Sequence, residues 1–203
     1  MKNKNNNELL YRERKWKRNF PKLARVFNFK KNLKKSRKHL DFGCGFGNFA
    51  AILARKYLKI KVYGIDMDKE RINAGGKRYR LKNLSFKSGR KTQGKYDTIT
   101  AIHVIHEMRN PEGKIKEFSR HLNKKGKLFV LEFKKSTRKL FKKHFDKDPY
   151  WRGQNFEGEY KEHNRWNLKE FENLCRKAGF KNLKLKKFND IRLIYIGEKN
   201  VTQ

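Results

Sequence analysis

The chain has 203 residues and a formal net charge of +35, from 55 Lys and Arg against 20 Asp and Glu. That length suits one domain with a real core, and no run of 18 apolar residues is present to span a membrane. Met1 is followed by polar residues rather than an apolar leader, and only Cys44 and Cys175 are present, so a disulfide scaffold is excluded and a reducing cytoplasm is expected. The charge favours polyanions such as RNA. An excess of 38 Lys over 17 Arg is also what an AT-rich genome yields by composition alone, so placement matters more than the total.

Residues 1–40 carry 15 Lys or Arg and two acids, and 1–37 read as a basic N-terminal helical arm. Asn3 to Asn7 reads as disordered. Leu9, Leu10, Trp16 and Phe20 line one side of a helix that Pro21 should stop. Leu23, Val26, Phe27 and Leu33 suggest a second helix. A basic amphipathic helix can lie on an anionic membrane, but this apolar stripe is thin. Because the arm precedes the first strand, its removal is not expected to open the core.

His39 to Phe42 is strand-like and runs into Gly43, Gly45 and Gly47, with a helical pattern from Asn48 to about Tyr57 carrying Phe49, Ile52 and Leu53 on one face. A turn this sharp needs glycine, and a missing Cβ lets a ligand reach the backbone, facing amides at the helix start. A dinucleotide fingerprint would put its third glycine at position 48, where Asn48 stands. The stretch Asp41-Phe42-Gly43-Cys44-Gly45-Phe46-Gly47 instead resembles motif I of class I S-adenosylmethionine-dependent methyltransferases. The resemblance implies an α/β fold with a seven-stranded, mostly parallel sheet flanked by helices, the last strand antiparallel, over residues 38–203. It implies S-adenosyl-L-methionine as cofactor, Gly43, Cys44, Gly45 and Gly47 around its methionine part, and Asp41 near its ammonium. It also implies that the arm's helices pack over the cofactor.

Ile60 to Ile65 alternates like a second strand and ends at Asp66, a carboxylate placed to accept ribose hydroxyls or to cap the following helix. The resemblance assigns the ribose to Asp66 and an adenine contact to Met67. The next helix, Lys69 to about Leu81, holds Gly75-Gly76 and reads as weak. Leu84 to Phe86 is a short third strand. Relatives place an acid just after it for the adenine amino group. Here Ser88-Gly89-Arg90 stands instead, leaving Ser88 or a backbone group for that contact.

Tyr96 to Ile102 is the fourth strand and resembles motif IV, whose carboxyl end faces the methyl group. Ile102 is grouped there with the cofactor residues. His103 is the candidate catalytic residue, to accept a proton or orient the substrate. His103 and His106 have a metal-like spacing but no further ligands at standard spacing, so no metal is expected. Glu107 reads as a helix start. After a helix over Lys114 to Leu122, the fifth strand, Lys127 to Phe133, carries Glu132, which faces either the pocket or the solvent.

Residues 134–166 interleave Lys and Arg with Phe141, Phe145, Tyr150, Trp151, Phe156, Tyr160 and Trp166, the composition of either a single-stranded RNA surface or the core of a lid. Asp146 to Tyr150 marks a turn, with Pro149 barring a helix through it. Asn167 and Glu170 form a capping box for a helix closed by Ala178-Gly179. Leu183 to Phe188 and Ile191 to Ile196 are the last strands. The expected function is a methyltransferase acting on RNA, tRNA or rRNA. The alternatives are a small-molecule methyltransferase or a non-catalytic RNA-binding protein on a decayed methyltransferase fold. The Pro-Pro-aromatic signature of amino-base enzymes and the cysteine motif of pyrimidine C5 enzymes are absent. Cys44, inside the cofactor turn, is not expected to act as a nucleophile.

Overall fold

The computed structural model describes residues 2–200. Seven strands form one sheet in the order β3-β2-β1-β4-β5-β7-β6: β1 (Lys38–Phe42), β2 (Lys61–Asp66), β3 (Leu84–Ser88), β4 (Tyr96–Ile102), β5 (Leu122–Phe133), β6 (Phe180–Asn189) and β7 (Arg192–Lys199). All the pairings among β1 to β5 are parallel, and β7 is antiparallel to both β5 and β6. Strand number and direction agree with the expected sheet.

Burial on both faces explains the sequence of β5. Leu128 and Val130 enter one apolar cluster while Phe129 and Leu131 enter the other, a period of two with no polar face. The first layer is α1 (Lys2–Val26), α2 (Phe29–Asn32) and α3 (Asn48–Lys56), with α4 (Lys69–Arg78) beside them. The second is α5 (Pro111–His121) and α8 (Leu168–Lys177). A third cluster, Phe133, Phe141, Trp151 and Ile191, lies with α6 (Arg138–Phe145) and α7 (Phe156–His163) over the end of β5.

The arm departs from expectation in three ways. Asn3 to Asn7 lies within α1, and α1 continues through Pro21 to Val26 instead of stopping there. An internal proline costs about 3 kcal/mol through its missing N–H and ring clash. Phe20 and Leu23, on either side of it, are buried with Phe27, Phe29 and Phe49, and that packing outweighs the cost. The arm is also part of the main core: Phe27 and Phe29 each meet Phe129 of β5 edge-on, at 5.4 and 5.2 Å. Its removal would therefore open the core.

Helix α1 runs from the α4 side, where Glu8 and Glu13 pair with Arg71 and Arg78, to the far edge of the sheet. There Lys184 Nζ donates to the Val26 carbonyl and Lys22 sits over the Phe188 ring. The capping box of Asn167 and Glu170 is formed as expected. Gly75 is not merely a weak helical residue: a Cβ there would stand 2.3 Å from the Phe46 carbonyl, so glycine lets α4 close against the motif I turn.

Candidate active site

The motif I turn has Gly43, Gly45 and Gly47 at φ of 71°, 55° and 71°, the left-handed region that glycine occupies without strain. Two of them are also closed to a side chain. A Cβ on Gly43 would lie 2.4 Å from Val104 and one on Gly47 would lie 2.1 Å from Phe86. Around Gly45 a Cβ would meet nothing within 4 Å, so the open space of the turn is there. Cys44 Sγ lies against the Gly45 carbonyl, and burial with Asp41 and Asp66 nearby pushes its thiol well up, away from nucleophilic use.

Asp66 is half-buried at the tip of β2. Its Oδ2 accepts from the Gly45 amide (2.7 Å) and its Oδ1 from the Asp68 amide (2.9 Å). Each oxygen keeps a lone pair for a hydroxyl. The cap of α4 is Asp68, which accepts from the Arg71 amide, so Asp66 does not cap that helix. Met67 is exposed beside it. Ser88 is exposed at the end of β3 in register with Asp66, and Ile102 is buried at the end of β4.

Asp41 stands deeper. Register places it beside Thr100, whose hydroxyl donates to Asp41 Oδ1 at 2.9 Å. The same hydroxyl meets His39 Nε2 (3.1 Å), and His39 Nδ1 meets Thr98 (2.8 Å). Burial drives His39 down to about 3, so it is a neutral strut. Burial lifts the Asp41 carboxyl to about 7, against the Thr100 bond and with the Asp66 charge adding to it. The Ala50 amide at the start of α3 also holds the carboxyl down, and Oδ2 makes no close hydrogen bond among the described residues. An unmatched buried carboxylate oxygen and the open space at Gly45 fit a ligand that brings a cation and a ribose.

The other half of the site gathers residues far apart in sequence. Glu132 is fully buried and faces inward, which resolves the two orientations left open above. Its Oε1 accepts from His106 Nδ1 and the Phe133 amide, both at 2.7 Å, and its Oε2 accepts from the Ile105 amide at 2.8 Å. Burial disfavours an imidazolium at His106, but the Glu132 charge and hydrogen bond outweigh it and the group shifts upward. His106 lines a hollow of about 320 Å³ with Gly158, Lys161, Glu162 and Arg165.

His103 follows β4 with φ of 51°, rare outside glycine, and its amide donates to the Leu131 carbonyl. Its ring lies 4.7 Å from that of Phe133 and its Nδ1 is buried without a partner. Burial, then the charges of Arg192, His106 and His163, push it well below the usual histidine range. The structure thus brings His103, His106 and Glu132 together at the ends of β4 and β5.

The aromatic residues of 134–166 face inward. Phe141, Phe145, Trp151, Phe156 and Tyr160 stack on one another around Phe133, none of them exposed, and Trp166 packs on Phe171. The side chain of Tyr150 lies outside the described residues. His163 joins them, 4.2 Å from Phe133 and 4.3 Å from His106, and burial holds it down to about 4. Lys15 of α1 pairs with Asp148 of this lid at 2.8 Å. No described helix is long and apolar enough to cross a membrane.

Sequence reading missed Glu132 as the partner of His106, the His39–Thr98–Thr100 support under Asp41, and His163 and Arg192. Polar residues at inward positions of parallel strands signalled the second group. Nothing local signalled His163 or Arg192.

A sheet of this order with a glycine turn after β1 and a carboxylate after β2 defines the S-adenosylmethionine-dependent methyltransferase class. Comparison with known proteins agrees: a methyltransferase-domain family matches residues 9–185, and the chain belongs to it. A curated relative, probable (S)-tetrahydroprotoberberine N-methyltransferase 2 of Papaver bracteatum, is 30% identical over 121 residues. That match covers 56% of this chain and 34% of the relative, so the chain matches about a third of that protein's length. The plantazolicin methyltransferase in complex with SAH superposes with a TM-score of 0.73 at 16% identity, covering 98% of this chain and 90% of that one. Human N-acetylserotonin methyltransferase in complex with SAM gives 0.66 at 17% identity, covering 93% and 54%. At these identities the two structures establish the fold.

Proposed function

We propose that the protein is an active methyltransferase acting on a small molecule held beneath the lid of α6 and α7. The cofactor, when bound, supplies an electrophilic methyl group. Asp66 would hold its ribose, the turn at Gly45 would leave room for its methionine part, and Asp41 Oδ2 would meet its ammonium, with Met67 and Ser88 at the adenine. On the acceptor side, His106 is the proton acceptor and Glu132 fixes its ring with Nδ1 as donor, leaving Nε2 to take a proton. His103, held neutral, orients the acceptor through Nδ1.

The observation that supports a small acceptor is the inward packing of the lid aromatics. Bases need exposed rings to stack on, and here the rings are spent on Phe133 and each other. Transfer to RNA is a second reading with its own support: from Arg14 to Ile65 there are sixteen Lys or Arg and one acid, the buried Asp41. Incubation with tritiated S-adenosylmethionine and, in parallel, small-molecule extract, total RNA and total protein separates the two. Label in the small-molecule pool is expected. Label confined to RNA would replace the first reading with the second, and no label in any pool would contradict both.

A further inference from the structure

Phe133 is a hub for nitrogen-bearing side chains. Its ring meets His103 at 4.7 Å, His106 at 5.3 Å and His163 at 4.2 Å, and the Arg192 guanidinium lies 4.9 Å from its centroid. Register explains the arginine: β7 is antiparallel to β5, and Arg192 pairs with Phe133 across the two strands. The last strand therefore delivers a cation to the same end of the sheet as His103.

That cation is unmatched. The Arg192 side chain makes no hydrogen bond or ion pair among the described residues, and its Nε is buried without a partner, as is His103 Nδ1. The two carboxylates whose charge reaches Arg192 are both engaged elsewhere. Asp148 is held by Lys15 at 2.8 Å, and Glu132 is held by His106 and backbone amides. Arg192 is half-buried, and a guanidinium N–H shut away from water without an acceptor is costly to keep unless a ligand supplies one. A planar fork matches a carboxylate in two parallel hydrogen bonds, and the aromatic wall suits an organic body.

We propose that Arg192 and His103 form a subsite for the carboxylate of the methyl acceptor, making the substrate a small organic acid. In this subsite Arg192 supplies the charge and His103 a single N–H. Phe133 is the common neighbour of Arg192, His103 and His106. This assignment rests on the small-molecule reading above and narrows it to one substrate class.

Benzoate and its neutral analogue benzamide probe the subsite in the full chain, by calorimetry with and without saturating SAH. Benzoate should bind at least tenfold more tightly than benzamide. Arg192→Gln should remove that preference while leaving benzamide affinity unchanged. Arg192→Lys should restore part of it, because charge returns without the fork. SAH affinity in the same samples reports folding and the donor site separately, so its loss from the wild type would sink the methyltransferase reading without deciding the subsite. Equal affinity for benzoate and benzamide in the wild type would overturn the proposal. So would a benzoate preference that survives in Arg192→Gln. If Arg192→Gln does not fold, His103→Gln takes its place, with a several-fold weakening of benzoate expected and no change contradicting the subsite.

Discussion

The proposed donor and acceptor halves of the site are built from different materials. The donor half is local and made largely of backbone: three left-handed glycines, the Gly45 amide on Asp66, and an acid 23 residues after Gly43. The proposed acceptor half is made of side chains from four separated segments, His103 and His106 after β4, Glu132 and Phe133 in β5, His163 in α7, and Arg192 in β7. A backbone device depends on what is absent at Cβ. A side-chain device depends on register and burial. The two should therefore fail differently when mutated.

The largest expected effect is on the acceptor side. Glu132→Gln keeps the shape but removes the charge that orients His106, so turnover should fall by about 10²–10⁴-fold. Donor affinity, measured by calorimetry, should stay unchanged. A matching loss of donor binding would mean that the two halves are one structural unit.

On the donor side, Gly47→Ala combines a left-handed backbone penalty of about 1–2 kcal/mol with overpacking against Phe86 of about 1–3 kcal/mol. Thermal unfolding should show a loss of that order. Gly45→Ala carries the backbone penalty alone, because its Cβ meets nothing. It should cost less stability yet weaken SAH binding by filling the open space. Wild-type SAH affinity in Gly45→Ala would place the ligand elsewhere.

These contrasts explain what could be read from the sequence. The strand positions, the glycine turn and the acid at the tip of β2 were legible because each is encoded within a few residues of itself. Glu132 was not, since its inward orientation follows from the β4–β5 register and from His106, 26 residues away. Arg192 was invisible for the same reason: a lone arginine opening the last strand looks like surface charge until antiparallel pairing sets it opposite Phe133. The helix through Pro21 is not legible locally, because the burial of Phe20, Leu23 and Phe27 overrides the propensity of the proline. The lid aromatics carried both readings in sequence, and only packing chose.

A smaller effect tests the Asp41 assignment through pH. Burial lifts the Asp41 carboxyl to about 7, far above an unfolded aspartate, so below that pH a cation must displace a proton to bind. SAH affinity should therefore fall as pH drops below about 7, by up to about tenfold per unit, and level off above it. The same shift makes Asp41 destabilising to the empty fold as pH rises from about 4 to 7, because the native state binds the extra proton. In Asp41→Asn the pH dependence of SAH binding should flatten. The smallest effect is structural and lies away from both halves: Asn167→Ala should remove about 1 kcal/mol of stability with the capping box and leave SAH affinity as it was.

Titration calorimetry of SAH into the wild type, Asp66→Asn and Glu132→Gln tests the division of labour most directly. The account predicts saturable one-to-one binding to the wild type and the same affinity in Glu132→Gln. Binding to Asp66→Asn should be weaker by about 1.5–3 kcal/mol, the range for hydrogen bonds to a charged group. Undiminished affinity in Asp66→Asn, or equal losses in the two variants, would contradict it.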